Sequence, residues 1–403
     1  MAAATAPALS FRYARLDEYD VLSRFLHEHW ANHHVYCRDK ALFDWTFLTN
    51  NRWEREGEYC FAVAEKNGEV VGILGGIPFL FNDHGKTCPG VWIANYVVHP
   101  DHRRGTLALQ LLGQFRKPPF QAVIASGINP ATQTIYKVLR GEVLPYMPRH
   151  FAVLPGCGER MRNLLAIAYP DWSAGQAAGL AAAFELAALP AAPGAVGQAL
   201  PEDWDAANWN HIAQETTGAS RDHAFLDWRY RQHPTFEYRF VTVADGSRTG
   251  LAVWRLETIR RTVENAAATP VSEHGAVKST VLPADRVDVD RIGRLVEFLP
   301  ASRQNSDELF AAAVNDMAAA DAMALDYYGF HGAARGWLEE AGFRLAGSHE
   351  DGEKLPSRFQ PLDGKGGGIL SAMFRPAEVA SVAIEPGCEW YWTKADSDQD
   401  RPN

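Results

Sequence analysis

Tyr96-Val97-Val98-His99-Pro100-Asp101-His102-Arg103-Arg104-Gly105-Thr106-Leu107-Ala108 decides how this 403-residue chain is read. An apolar run that reads as a buried strand passes through a short, basic, glycine-containing turn into an apolar helix. The first four N–H groups of a helix have no partner inside it, and the helix dipole is positive there, so such a turn can hold an anion. Arg103 and Arg104 add charge, and Gly105 lets the backbone approach a ligand closely. A tight solvated turn has the same pattern, so the sequence further on must discriminate.

It does so after the next strand, Ala122–Ser126, where the chain continues Gly127-Ile128-Asn129-Pro130-Ala131-Thr132-Gln133-Thr134-Ile135-Tyr136-Lys137-Val138-Leu139-Arg140-Gly141. Together the two stretches read V-x-P-x-x-R-x-x-[GT]-x-A, a helix, a strand, then N-x6-Y-x4-G. This resembles the GNAT superfamily of N-acetyltransferases over roughly residues 10–155. The resemblance implies a sheet that splays open between its fourth and fifth strands, with the pantetheine arm of acyl-CoA in the gap. It further implies that Tyr96, Val97 and Val98 face the pantetheine with backbone groups, and that Arg103, Arg104, Gly105, Thr106, Leu107 and Ala108 cradle the pyrophosphate. Asn129 would hydrogen-bond the pantetheine arm, and Tyr136 would be the general acid that reprotonates the leaving thiolate. One position departs from the family pattern: Thr106 stands where a glycine is usual.

The residue types suit that chemistry. A strand N–H can polarise a thioester carbonyl, and a phenol can supply a proton to a thiolate. No general base declares itself; His99, Asn95, Asp44 and His34 are the candidates, each with an ordinary structural alternative.

The chain also repeats itself. Arg38-Asp39-Lys40-Ala41-Leu42-Phe43-Asp44-Trp45 recurs as Arg221-Asp222-His223-Ala224-Phe225-Leu226-Asp227-Trp228, an offset of 183. Gly68 and Gly72 answer to Gly246 and Gly250, Pro100, Arg103 and Thr106 to Pro300, Arg303 and Ser306, and Gly127 to Gly329, all in the same order. The fold class expected is therefore α+β (α/β, GNAT-like): tandem acyl-CoA N-acyltransferase domains, each a mixed, mostly antiparallel sheet flanked by helices. The expected boundaries are 10–155 for the CoA-binding, catalytic half and 156–198 for an Ala/Pro/Gly linker. Residues 199–385 would form a degenerate second half, and 386–403 an aromatic and acidic tail. Phe151–Leu154 should close the first sheet and Ile369–Phe374 the second. In the second half Asp307 and Glu308 occupy the helix start, where they repel a pyrophosphate. This half is read as a wall for acceptor binding, with Tyr327, Tyr328, His331 and Trp337 as candidate contacts or packing residues.

A formal charge of −10 argues against sequence-independent nucleic-acid binding. The five cysteines are scattered without a CxxC spacing, so neither a zinc ribbon nor a disulfide framework is indicated. His33-His34-x-x-Cys37 and the Asp396–Asp400 run are weak metal patterns, set aside for a turn and a solvated acidic tail; Trp390-Tyr391-Trp392 could pin that tail to the body. No apolar stretch reads as a membrane span or an export signal, so a soluble, cytoplasmic protein is expected. The leading reading is an acyl-CoA-dependent N-acyltransferase, using acetyl-CoA or another acyl-CoA and no metal, with a small-molecule amine as acceptor. The tandem layout resembles proteins of bacterial surface-polysaccharide biosynthesis, which implies a nucleotide-linked amino sugar. Two other readings stay open: a non-catalytic CoA-binding module, and aminoacyl transfer of the tandem-GNAT peptidoglycan-bridge type.

Overall fold

The computed structural model describes residues 9–32, 34–50, 52–262, 278–279, 286–331, 334–346, 355–356, 358–359, 362–364, 368–376 and 390–402. The first half begins with β1 (Leu9–Arg15), α1 (Tyr19–His29) and α2 (Lys40–Phe47), followed by β2 (Glu58–Lys66), β3 (Glu69–Asp83) and β4 (Lys86–Val98). These four strands pair antiparallel in the order β1-β2-β3-β4. Helix α3 (Leu107–Phe115) then leads to β5 (Ala122–Ser126) and α4 (Gln133–Val138). Leu107, Leu111, Leu112 and Phe115 recur on one face of α3 and are buried against β3. Glycine in β3 permits this approach: a Cβ on Gly76 would lie 2.4 Å from the Phe115 ring.

The second half repeats the plan. Its antiparallel strands β8 (Arg239–Asp245), β9 (Arg248–Thr262) and β10 (Arg286–Leu299) are followed by α7 (Arg303–Ala319), β11 (Ala324–His331) and α8 (Ala334–Glu340). In both halves the strand after the helix joins in parallel, β5 beside β4 and β11 beside β10. The repeated motif lies where the halves meet. Asp39 caps α2 through the Leu42 N–H at 2.9 Å, and Asp222 caps its counterpart through the Phe225 N–H at 2.8 Å. Trp45 and Trp228, 183 residues apart, stack with centroids 4.8 Å apart, and the Trp45 indole donates to the Trp228 carbonyl. Arg52 donates to Asp222 while Thr235 donates to Asp39, so matching positions touch reciprocally, as in a two-fold interface.

The structure departs from three expectations. The closing strands are exchanged: β6 (Arg149–Val153) pairs antiparallel with β11 of the second half, and β12 (Ser371–Phe374) pairs antiparallel with β5 of the first. Residues 156–198 carry two helices, α5 (Gly158–Ala168) and α6 (Ala174–Phe184), where the composition predicts a linker. Alanine is the best helix former, a Ser173/Gln176 capping box starts α6, and Ala177, Ala181 and Phe184 are buried beneath β6. The third is the acidic tail, which is not solvated. Strand β13 (Trp390–Thr393) and most of the residues from there to Asp400 are buried, Asp396 at 1% exposure and Asp400 at 2%. Desolvated guanidiniums hold them: Arg221 binds Asp396 and Glu297, and Arg255 binds Asp400 and Glu257. Strand β13 pairs with β11 and also with β7 (Thr217–Ala219), which pairs with β3, so one sheet runs through both halves.

Candidate active site

Strands β4 and β5 are hydrogen-bonded from Gly90–Ala122 to Ile93–Ala125 and then part. The cause lies in β4. Asn95 takes φ +51°, and the register against β3 shifts so that Gly75 faces Ala94 and Ile73 faces Val97. Such a bulge bends the strand and ends pairing on its far side. Beyond it, Asn95–Val98 and Ser126–Asn129 form opposite walls of a cavity of about 670 Å³, large enough for the arm of a cofactor.

Of the residues singled out in sequence, Tyr96, Val97, Val98, Arg103, Asn129 and Tyr136 line this one cavity. Tyr136 is 5% exposed and packs beside Phe374 of the exchanged strand β12. Burial pushes its phenol up to about 12, so it stays protonated across the neutral range. Asn129 accepts at its carbonyl from the N–H and hydroxyl of Thr132, which fixes the entry to α4. Tyr96 donates its hydroxyl to the Ala108 carbonyl, tying β4 to the start of α3. Arg103 donates from Nε to the Val98 carbonyl at 3.1 Å, so that backbone acceptor is already engaged.

Arg104, Gly105, Thr106, Leu107 and Ala108 do not line the cavity; they form the turn beyond Arg103 and the first residues of α3. Arg104 to Thr106 are exposed, and no side chain caps the helix start. Gly105 takes φ +129°, and a Cβ there would meet nothing within 4 Å, so the space beside it is open. Thr106 has φ −100° and ψ 0°, open to any L-residue, so replacing the family glycine costs no strain here. These uncapped amides and open space fit an oxyanion such as pyrophosphate.

Among the described residues, the second half offers no such site. Ser302 caps α7 by accepting from the Asn305 N–H, Asn305 accepts from the Ala301 N–H, and Arg303 pairs with Asp307 and Glu340. The gap between β10 and β11 is filled by β13: Lys394 N–H donates to the Tyr328 carbonyl, and the Tyr391 hydroxyl accepts from Phe298 N–H and donates to Glu297. Tyr327 and Tyr328 are buried in the core, and neither they nor Trp337 line the cavity; the His331 side chain lies outside the described residues.

Sequence reasoning missed His29 and Trp30 at the end of α1 and Asp398, Gln399 and Arg401 from the C-terminal segment, all of which line the cavity. His29 packs its ring on His99 at 4.6 Å; burial, His99 and Arg103 lower its pKa. Gln399 donates to the Ser126 carbonyl at the end of β5, and Arg401 grips Asp398 at 2.7 Å. Among the base candidates, Asn95 lines the cavity and His99 stands behind His29. Asp44 is instead bound to Lys40 and Tyr59, and His34 caps a short helix. No cluster able to hold a metal is found among the described residues. No described helix is long and apolar enough to cross a membrane.

Residues 19–117 match the family described as Acetyltransferase (GNAT) family; the match ends before Asn129 and Tyr136. Among solved structures, the chain is similar to a GCN5-related N-acetyltransferase from Anabaena variabilis at TM-score 0.52 and 11% identity, covering 91% of this chain and 72% of that one. It is similar to N-myristoyltransferase from Saccharomyces cerevisiae with bound myristoyl-CoA at TM-score 0.52 and 11% identity, covering 96% and 85%. A GCN5-related N-acetyltransferase from Kribbella flavida gives TM-score 0.51 at 13% identity, covering 92% and 72%. No curated protein matches the sequence. The fold is GNAT-like, a mixed sheet flanked by helices, and the family match together with that fold supports an N-acyltransferase enzyme.

Proposed function

We propose that the protein transfers an acyl group from acyl-CoA to the primary amine of a small molecule, with the chemistry confined to the first half. The observation that carries this reading is the splay between β4 and β5, which brings the buried Tyr136 and the Arg103 turn to one cavity. Acyl-CoA is the substrate that supplies the activated acyl carbon. The N–H groups of Thr106 to Leu109 and the Arg103 and Arg104 guanidiniums hold its pyrophosphate, and Asn129 orients the pantetheine arm. The acceptor nitrogen bonds to the acyl carbon as the carbon–sulfur bond breaks. The nitrogen gives up one proton to solvent, and the sulfur takes one from the Tyr136 hydroxyl, which solvent replaces. A phenol held near 12 is a weaker acid than an ordinary thiol, so its main contribution is a hydrogen bond that stabilises the developing thiolate. The second half serves as scaffold: it supplies β12 beside β5 and anchors the segment carrying Asp398 to Arg401. The sequence resemblance favours a nucleotide-linked amino sugar as acceptor, whereas the charges on the cavity wall favour a zwitterion.

The test is thermal melting with acetyl-CoA, followed by thiol release over a panel of amines. Ligand at ~100 times its dissociation constant should add about 2.7 kcal/mol to stability. Tyr136→Phe should lower kcat about 10²-fold or more with cofactor binding kept. No melting shift at millimolar acetyl-CoA removes the assignment, and unchanged turnover removes Tyr136 from the reaction.

A further inference from the structure

The C-terminal segment places a matched pair of charges in the cavity. Asp398 is the one acidic residue among the described lining residues, whereas Arg103, Arg358 and Arg401 are the arginines. Arg103 belongs to the cofactor turn, which leaves a positive excess on the remaining wall. Asp398 and Arg401 face each other there, with Arg401 Nη1 donating to Asp398 Oδ2 at 2.7 Å and to the Asp398 carbonyl at 2.6 Å. The Asp398 side chain is 7% exposed and that of Arg401 24%. Their backbone is fixed from both sides. Asp396 is bound to Arg221 at 2.6 Å and Asp400 to Arg255 at 2.7 Å, both in fully packed surroundings, and Gln399 is held on Ser126.

Resting on the acyl-transfer reading above, we propose that the acceptor is an amino acid, Asp398 taking its ammonium group and Arg401 its carboxylate; the bound ammonium gives one proton to solvent to become the nucleophilic amine and loses the second as the amide bond forms. An α-amino acid carries those two charges one carbon apart, so it can replace the internal ion pair by two pairs of the same sign pattern. The exchange leaves neither charge unpaired, which is the costly outcome for a side chain as buried as that of Asp398. A lone amine offers nothing to Arg401, and an amino sugar without its nucleotide offers no anion to the positive wall. A planar guanidinium also binds a carboxylate through two parallel hydrogen bonds, which fixes the direction from which the amine approaches.

The experiment measures kcat/KM with acetyl-CoA for matched sets: an α-amino acid, its carboxamide, its decarboxylated amine, and an amino sugar. A hydrogen bond to a charged partner supports a preference of about 10- to 100-fold for the free carboxylate. Arg401→Gln should collapse that preference towards unity through KM, and Arg401→Lys should restore part of it. Asp398→Asn should raise KM for every acceptor. Acetyl-CoA melting shifts are read on each variant, so a folding defect is separated from a recognition defect. Carboxamides or amino sugars used as well as amino acids overturn the proposal, as does an equal loss on all acceptors in Arg401→Gln. Thiol release with none of them, while acetyl-CoA still shifts melting, overturns it too and leaves the acyl-CoA reading standing. Absence of the melting shift removes both.

Discussion

Asp400→Asn takes one negative charge out of a cluster that water does not reach, at almost constant volume. Asp400 accepts from Arg255 at 2.7 and 3.2 Å and from the Tyr238 hydroxyl at 2.7 Å. Around it the buried guanidiniums of Arg149, Arg229, Arg255 and Arg294 face the buried carboxylates of Glu257, Asp326 and Asp400. The substitution leaves four such cations facing two anions. Removing one partner of a buried pair costs about 3–5 kcal/mol because the other charge is stranded. Arg255 keeps Glu257 at 2.6 Å, which places the expected loss near the lower end, about 3 kcal/mol. Urea unfolding followed by tryptophan fluorescence reads it, since Trp390 and Trp392 lie in the strand that leads to this segment. Arg255→Met alone should also destabilise, whereas the double variant should lose less than the two single losses added, with a coupling of about 2 kcal/mol. An Asp400→Asn protein within about 1 kcal/mol of the wild type, or an additive double variant, would refute the reasoning.

The remaining predictions concern pH and the Gly105 turn. Burial holds His150 at about 4 and His233 at about 3, so both are neutral in the fold while the unfolded chain takes up protons below pH 6.5. Stability should therefore fall as pH drops through that window, by about 2 kcal/mol per histidine at pH 5, and the depressed Glu257 adds to the loss further down. A flat unfolding free energy between pH 7.5 and 5 would contradict this. Gly105→Ala puts a Cβ on a φ of +129°, so the turn must relax. Acetyl-CoA affinity should drop about tenfold, at a stability cost of about 1–2 kcal/mol, and isothermal titration giving wild-type affinity would count against the turn as the pyrophosphate cradle.

Much of this is legible in the sequence because it is local. Apolar alternation, caps and the glycine turn fix strand or helix within a few residues, so β5 falls on Ala122–Ser126 as read, and α3 begins directly after the glycine turn. The repeat is visible for the same reason: a capping Asp and a Trp less than two helical turns further on, Asp39 with Trp45 and Asp222 with Trp228, leave their mark wherever the unit recurs. The tail misleads because Asp396-Ser397-Asp398-Gln399-Asp400 looks solvated by itself. Its burial depends on guanidiniums far upstream, with Arg221 standing 175 residues before Asp396 and Arg255 145 before Asp400, in no readable pattern.

What the sequence determined by itself is the pair of α+β halves, the glycine-containing turn at Arg103 to Ala108 and the tyrosine that follows it, because each is written in consecutive residues. Only the tertiary structure decided that β6 and β12 change places, that β13 fills the gap between β10 and β11, and that Asp398 and Arg401 reach the cavity of the other half. Those outcomes depend on which distant strand edge and which distant guanidinium each segment meets. Backbone pairing and buried charge compensation are satisfied equally well by partners from either half, so no local pattern records the choice.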